Sequence, residues 1–172
     1  MNGNLIMKPS LGFKDAVTTA LKNLENLKGR SRRSEFWWFM LVFWIAEEII
    51  GGVMALVLPS LASAIIQSLL WGFAFAVTAR RLQDGGHSLV WVAVSWISSI
   101  ALNIYLLTSE GWQEFMATQN PQDMIAALSS PILIALSIIA TVAGLATFIF
   151  CCMDGTPGTN KYGESPKYAM AE

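Results

Sequence analysis

The chain has 172 residues, 54% hydrophobic and only 13% charged, with a formal net charge of −1. Soluble domains carry about 25% charged residues, so this composition excludes an ordinary soluble fold with a fully charged surface. The two cysteines are adjacent, at 151 and 152. That excludes a disulfide framework, which needs Cys spread along the chain, and both are expected to be free thiols.

Residues 1–9 carry no periodic pattern and are expected to be unstructured. From Ser10, a suitable N-cap, Phe13, Val17, Ala20, Leu24 and Leu27 recur at helical spacing on one face. This predicts an amphipathic helix over 10–28, lying in the inner membrane interface or packed on the protein's own loops. Gly29 ends it. Then Arg30, Arg32 and Arg33 run directly into Phe36, Trp37 and Trp38. Cations at phosphate level followed by aromatic rings at headgroup level mark a membrane boundary.

Four apolar blocks approach or exceed the roughly 18 residues of a membrane span: 36–58, 61–79, 89–107 and 132–153. The fold class expected is all-α, a polytopic membrane protein with four transmembrane helices. Its organisation is a segment 1–35 with the amphipathic helix and basic cluster, a transmembrane domain 36–153, and a turn-rich tail 154–172. The first block starts after more than thirty residues of largely polar chain, so no cleavable signal peptide is expected.

All 11 basic residues fall before the first block, between the second and third (Arg80, Arg81), or after the fourth (Lys161, Lys167). The other two connections contain none, while Glu110, Glu114 and Asp123 lie in the longer of them. The positive-inside rule therefore predicts that both termini and the middle connection are cytoplasmic.

Halfway along the first span stand Glu47 and Glu48. An acidic residue at mid-span costs about 2.5–3.5 kcal/mol on insertion scales, and a good apolar one returns about 0.3–0.6. The pair is expected to turn toward polar neighbours, to be protonated, or both. Gln67, Ser68, Ser95, Ser98, Ser99, Asn103, Thr141 and Thr147 are the neutral partners available. Either a proton- or cation-binding site or a hydrogen-bonded helix contact would account for them. Gly51 and Gly52, one turn on, permit close helix approach.

Pro59-Ser60 predicts a tight hairpin between the first two spans. The second ends in Ala79-Arg80-Arg81-Leu82-Gln83-Asp84-Gly85-Gly86-His87-Ser88. Arginines suit a helix C-terminus, and Asp-Gly-Gly supplies a turn. Alternatively Arg80, Arg81 and the glycine amides bind a phosphate, with Asp84 or His87 as acid or base. Ser95, Ser98, Ser99 and Asn103 share one side of the third span. Trp112, Phe115 and Met116 predict a short helix in the outer connection, and Asn120-Pro121 starts another. The fourth span carries Ala140, Gly144 and Thr147 as a small-residue stripe. The tail, Asp154-Gly155-Thr156-Pro157-Gly158-Thr159-Asn160-Lys161-Tyr162-Gly163, is dense in turn formers and is expected to fold back over the neighbouring loops.

Gly29-Arg30-Ser31-Arg32-Arg33-Ser34-Glu35-Phe36-Trp37 resembles the G-R-x-x-R-x-E-[FY]-W stretch of a bacterial family, domain of unknown function 805 (DUF805), the YhaH-like small inner-membrane proteins. The 79–88 stretch resembles that family's R-R-L-H-D-x-[GN]-[KR]-S loop, and 154–163 its D-G-x-x-G-x-N-[KR]-[FY]-G tail. Gln83 stands where the family usually has His, and His87 where it has Lys or Arg, which weakens any His-based role. The resemblance implies a bacterial inner-membrane protein without an established activity. It also implies that the three motifs meet at one face as a polar cluster of Arg30, Arg32, Arg33, Glu35, Arg80, Arg81, Asp84, Asp154 and Asn160.

The leading expectation is a non-enzymatic protein whose cluster binds anionic lipid headgroups or docks a partner. Arginine forks suit phosphates, and each juxtamembrane cation contributes about 1 kcal/mol toward anionic membranes. The alternatives are a small transporter or channel component using Glu47 or Glu48, and an enzyme acting on a lipid phosphate through Asp84 and His87. No cofactor, metal or nucleic-acid partner is expected; membrane lipids, a second copy or a membrane-protein partner are. A deep, phosphate-sized pocket at the cluster favours the lipid reading. Closure of the cluster by its own ion pairs favours a structural one.

Overall fold

The computed structural model describes residues 5–171. Helix dominates. In chain order it comprises β1 (Leu5–Met7), α1 (Phe13–Lys22), α2 (Arg33–Val57), α3 (Ser60–Asp84), α4 (Val90–Thr108), α5 (Glu110–Thr118), α6 (Pro121–Leu128), α7 (Pro131–Cys152) and β2 (Tyr168–Met170). The helices α2, α3, α4 and α7, of 25, 25, 19 and 22 residues, are each long and apolar enough to cross a membrane. The surfaces of these helices expose Leu, Ile and Val along their middles, as lipid-facing helices do.

Two compact units divide the chain. One runs to Leu89 and resumes at Thr147; the other is Val90–Ala146. In the first, the Pro59 turn folds α3 back on α2, and Ser63 Oγ donates to Met54 O across it at 3.3 Å. The aromatic side chains of α2 interlock with their surroundings: Phe43 meets Trp71 of α3 edge-on at 5.1 Å, and Trp38 meets Phe13 of α1 at 5.4 Å. The core lies at the lower end of α3, where every residue from Ala76 to Asp84 is buried, charged ones included.

Three details differ from the sequence expectations. First, α3 runs on through Arg80 and Arg81 to Asp84, because both arginines are good helix formers and their charge suits a helix C-terminus. The helix stops in a Schellman motif: Gly86 N donates to Gln83 O at 3.1 Å, His87 N to Leu82 O at 2.9 Å, and Gly86 takes φ +76°.

Second, α1 is shorter than 10–28. It starts after Gly12 without a side-chain cap, so Ser10 does not cap it, and it stops at Lys22. Two asparagines compete with the helical backbone there: Asn23 Nδ2 donates to Thr19 O at 2.8 Å, and Asn26 Oδ1 accepts from Lys28 N at 3.0 Å. Ala16 and Ala20 form its buried edge, while Phe13 and Leu21 stay exposed.

Third, the segment 1–9 is not wholly unstructured. β1 pairs antiparallel with β2, with Leu5 opposite Met170 and Met7 opposite Tyr168. Lys8 N donates to Lys167 O at 2.9 Å. The part of that segment before Leu5 lies outside the described residues.

In the second unit, Ser109 caps α5 by accepting from Trp112 N, and Asn120 caps α6, with Pro121 in its first turn. Both short helices expected between the third and fourth spans are therefore present. Ser98, Ser99 and Asn103 of α4 return their hydrogen bonds to carbonyls one turn earlier on the same helix, at 2.6, 2.8 and 2.9 Å. A Cβ on Gly144 would meet Ser95 Oγ at 3.7 Å, ordinary contact distance, so α7 meets α4 at this member of its small-residue stripe.

Candidate functional site

The last turn of α3 presents Arg80, Arg81, Gln83 and Asp84 in different directions, since successive helical residues are rotated by about 100°. Arg81 is the hub. Its Nη1 donates to Asp84 Oδ2 at 2.6 Å and to Ser31 O at 3.4 Å, Nε to Cys151 O at 3.0 Å, and Nη2 to Met153 O. One guanidinium thus ties together the segment before α2, the end of α3 and the end of α7, whose last carbonyls need donors.

Asp84 is held from two sides. Opposite Arg81, Arg30 Nε donates to its Oδ1 at 2.8 Å, and both side chains of that pair are almost wholly buried. Arg30 then spans the tail, donating to the carbonyls of Thr156 and Gly158. Thr156 N and Oγ1 donate to Asp84 O at 2.9 and 3.1 Å. Asn160 Nδ2 donates to Gln83 O at 3.0 Å, and Gln83 Nε2 to Leu27 O at 2.9 Å. The tail folds back onto this helix end, as expected of its turn formers.

Asp154 lies at the surface, between Arg33 at 3.0 Å and Lys167 at 2.9 Å. The Lys167 hydrogen bond, foremost, holds its carboxyl below the usual range, and reciprocally raises the Lys167 amine. Arg32 serves a different segment. It donates to Lys8 O at 3.0 Å and to Pro9 O, fastening the N-terminal segment.

Arg80 behaves differently from Arg81. It approaches Glu35 of α2, Nη2 to Oε1 at 3.4 Å, with both side chains about 95% buried. The approach makes no hydrogen bond: among the described residues, Arg80 Nε, Arg80 Nη2 and Glu35 Oε1 are buried without a hydrogen-bond partner. Both residues line a cavity of about 320 Å³ whose wall also includes Asn23, Lys28, Arg30 and Arg32. That volume is near the small end of ligand pockets, roughly 300–1,000 Å³.

The other sequence candidates are not drawn in. Glu47 is half-buried and Glu48 exposed in the middle of α2. Gln67, named above as a partner for them, has its Nε2 against Gly51, 3.1 Å from where a Cβ would sit. Asp84 and His87 do not form an acid–base pair. Asp84 is engaged by two arginines, and the His87 ring stacks on Phe150 with centroids 4.0 Å apart. Burial, and after it the charge of Arg81, holds the His87 imidazole below its ordinary value. Cys151 and Cys152 are free thiols.

Sequence reasoning missed Gly155, Thr156, Gln83 and Lys167 as members of this assembly. The signal for Gly155 lay in the Asp-Gly step of the tail motif, read as a turn alone. A Cβ on Gly155 would fall 1.9 Å from Asp84 Oδ2, so only glycine fits there.

The family described as "Protein of unknown function (DUF805)" matches residues 24–164, a range that holds α2 to α7 and the tail motif. The chain is 26% identical to the inner membrane protein YhaI of Escherichia coli K12 over 152 residues, covering 87% of this chain and 93% of that protein. It is 25% identical to the inner membrane protein YhaH of the same organism over 162 residues, covering 89% and 97% respectively. No solved structure matches it. With four apolar helices of spanning length and this match over most of its residues, the chain belongs to the DUF805 family of membrane proteins.

Proposed function

We propose that this integral inner-membrane protein is non-enzymatic and holds the phosphate of a membrane phospholipid headgroup at its arginine-rich end. Arg80 is the phosphate ligand; Arg81, Arg30 and Asp84 are the frame that positions it. The observation that carries this reading is the buried edge of Arg80. Nε and Nη2 lie on one side of the guanidinium, have no hydrogen-bond partner among the described residues, and belong to a side chain that lines a cavity. That edge matches two oxygens of a phosphate in a bidentate fork. The charge asymmetry supports a cytoplasmic location for this end, where anionic lipid attracts basic segments. The closed Arg81–Asp84–Arg30 half supports scaffolding rather than chemistry.

The test is native mass spectrometry of the protein released from phospholipid nanodiscs, as wild type, Arg80→Gln and Arg33→Gln. Wild type and Arg33→Gln should retain a phospholipid, and Arg80→Gln, checked for wild-type-like thermal unfolding, should lose it. A lipid-free wild type, or retention by Arg80→Gln, overturns the reading.

One observation favours a second reading. Glu47 is half-buried at mid-span with no hydrogen bond or ion pair to a described residue, the setting of an intramembrane proton or cation site. Reconstituted vesicles should then show a proton or cation flux that Glu47→Gln abolishes; equal flux in both proteins removes it.

A further inference from the structure

We infer that the ligand of the Arg80 cavity is an aminoalkyl phosphate, one phosphate and one primary ammonium joined by a short linker, presented by a phosphatidylethanolamine headgroup. This rests on the headgroup reading above and names the class of lipid.

Several lining groups are already occupied. Arg30 gives its donors to Asp84 and the tail carbonyls, and Arg32 gives its own to Lys8 and Pro9. Two buried groups of the wall remain without a hydrogen-bond partner among the described residues: the Nε/Nη2 edge of Arg80 and Oε1 of Glu35. They stand side by side, 3.4 Å apart at closest approach. One is a donor edge carrying positive charge, and the other an acceptor carrying negative charge.

A buried ion pair without good hydrogen bonds recovers little of its desolvation cost. A ligand that supplies an acceptor to one member and a donor to the other satisfies both at once. A purely anionic headgroup does not do this. Its phosphate could take the Arg80 edge, but it would set a second negative charge beside Glu35, the one acid lining the cavity among the described residues. A choline headgroup fails differently, because its trimethylammonium has no N–H to give Oε1. An ethanolamine headgroup fits both groups. Its phosphate oxygens accept from Arg80 Nε and Nη2, and its ammonium donates to Glu35 Oε1. Arg80 and Glu35 then each face one group of opposite charge.

The experiment uses the full chain in nanodiscs of equal parts phosphatidylethanolamine, phosphatidylcholine and phosphatidylglycerol, with retained lipid read by native mass spectrometry. Wild type should retain the ethanolamine lipid at least fivefold over either competitor. Glu35→Gln should lose that preference while still retaining lipid, with phosphatidylglycerol at least equal. Equal retention of all three by wild type overturns the ligand class and leaves the phosphate reading standing, and this arm needs no variant to fold. An unchanged preference in Glu35→Gln overturns it likewise. Absence of any retained lipid overturns both readings.

A second arm separates the lipid from a soluble source. Lipid-stripped protein in detergent is titrated with phosphoethanolamine and with inorganic phosphate. Weak phosphoethanolamine binding by a protein that retains the ethanolamine lipid in nanodiscs supports the headgroup. Tight phosphoethanolamine binding by a protein that retains no lipid moves the site to a soluble ligand and overturns the lipid source.

Discussion

The α-carbon of Gly155 packs on the carboxylate of Asp84 so closely that a single methyl group there would overlap Oδ2, at 1.9 Å. Asp84 cannot yield, because Arg30 and Arg81 grip its two oxygens at 2.8 and 2.6 Å. Gly155→Ala is therefore expected to destabilise the protein by about 1–3 kcal/mol, as overpacking of a filled site does. It should also make the tail more sensitive to protease. Gly52→Ala, where nothing lies within 4 Å of the added carbon, should leave thermal unfolding in detergent unchanged or slightly raised. Equal loss at both positions would contradict the tight contact.

Arg81 and Arg33 make ion pairs at opposite extremes of burial, with side chains 1% and 46% exposed. Arg81→Gln leaves Asp84 with one partner and three backbone carbonyls without a donor. A loss of about 3–5 kcal/mol follows. Arg33→Gln removes a solvent-screened contact and should cost about 0–1 kcal/mol. Chemical or thermal unfolding of the two variants in the same detergent measures the difference.

His87 sets a pH dependence whose sign follows from its environment. Burial against Phe150 disfavours the imidazolium, so the folded chain takes up this proton at a lower pH than the unfolded chain, which titrates near 6.5. Stability from this residue is present above pH 6.5 and falls as the pH drops through that value toward the folded one. Below the folded value the loss levels off. His87→Phe keeps a ring on Phe150 and removes the proton. Its unfolding temperature should fall less between pH 7 and pH 5 than that of wild type. Parallel pH profiles for the two proteins would refute this.

The distribution of Lys and Arg makes a topological prediction. Fusions of a fluorescent protein to either terminus should fluoresce, and alkaline phosphatase at the same places should be inactive. An alkaline phosphatase inserted between α5 and α6, at Gln119, should be active. The reverse pattern would mean that the charge argument fails here.

The long elements were legible because their signals are local. Hydropathy marked four spans within a few residues, Asn120-Pro121 announced α6, and Pro59 announced the hairpin. The tail's turn formers announced its return. Other features depend on partners distant in sequence. β1 and β2 are three residues each and pair across almost the whole chain, so neither carries a pattern of its own. Arg80 and Arg81 are identical neighbours in sequence, and only the rotation between them sends one to a saturated hub and the other to a cavity. The helix α1 looked longer than it is because apolar spacing continues through Leu24 and Leu27. Asn23 and Asn26 divert the backbone.

The partners of Arg81 also impose an order in time. Ser31 is made early, but Cys151 and Met153 leave the ribosome only as the last span ends, and Thr156 and Gly158, which accept from Arg30, later still. Until then the Arg81 guanidinium lacks its Cys151 and Met153 acceptors. The end of α7 and the tail behind it convert this helix end into a buried fastening. A chain truncated before Asp154 would insert its spans yet leave the arginine-rich end open.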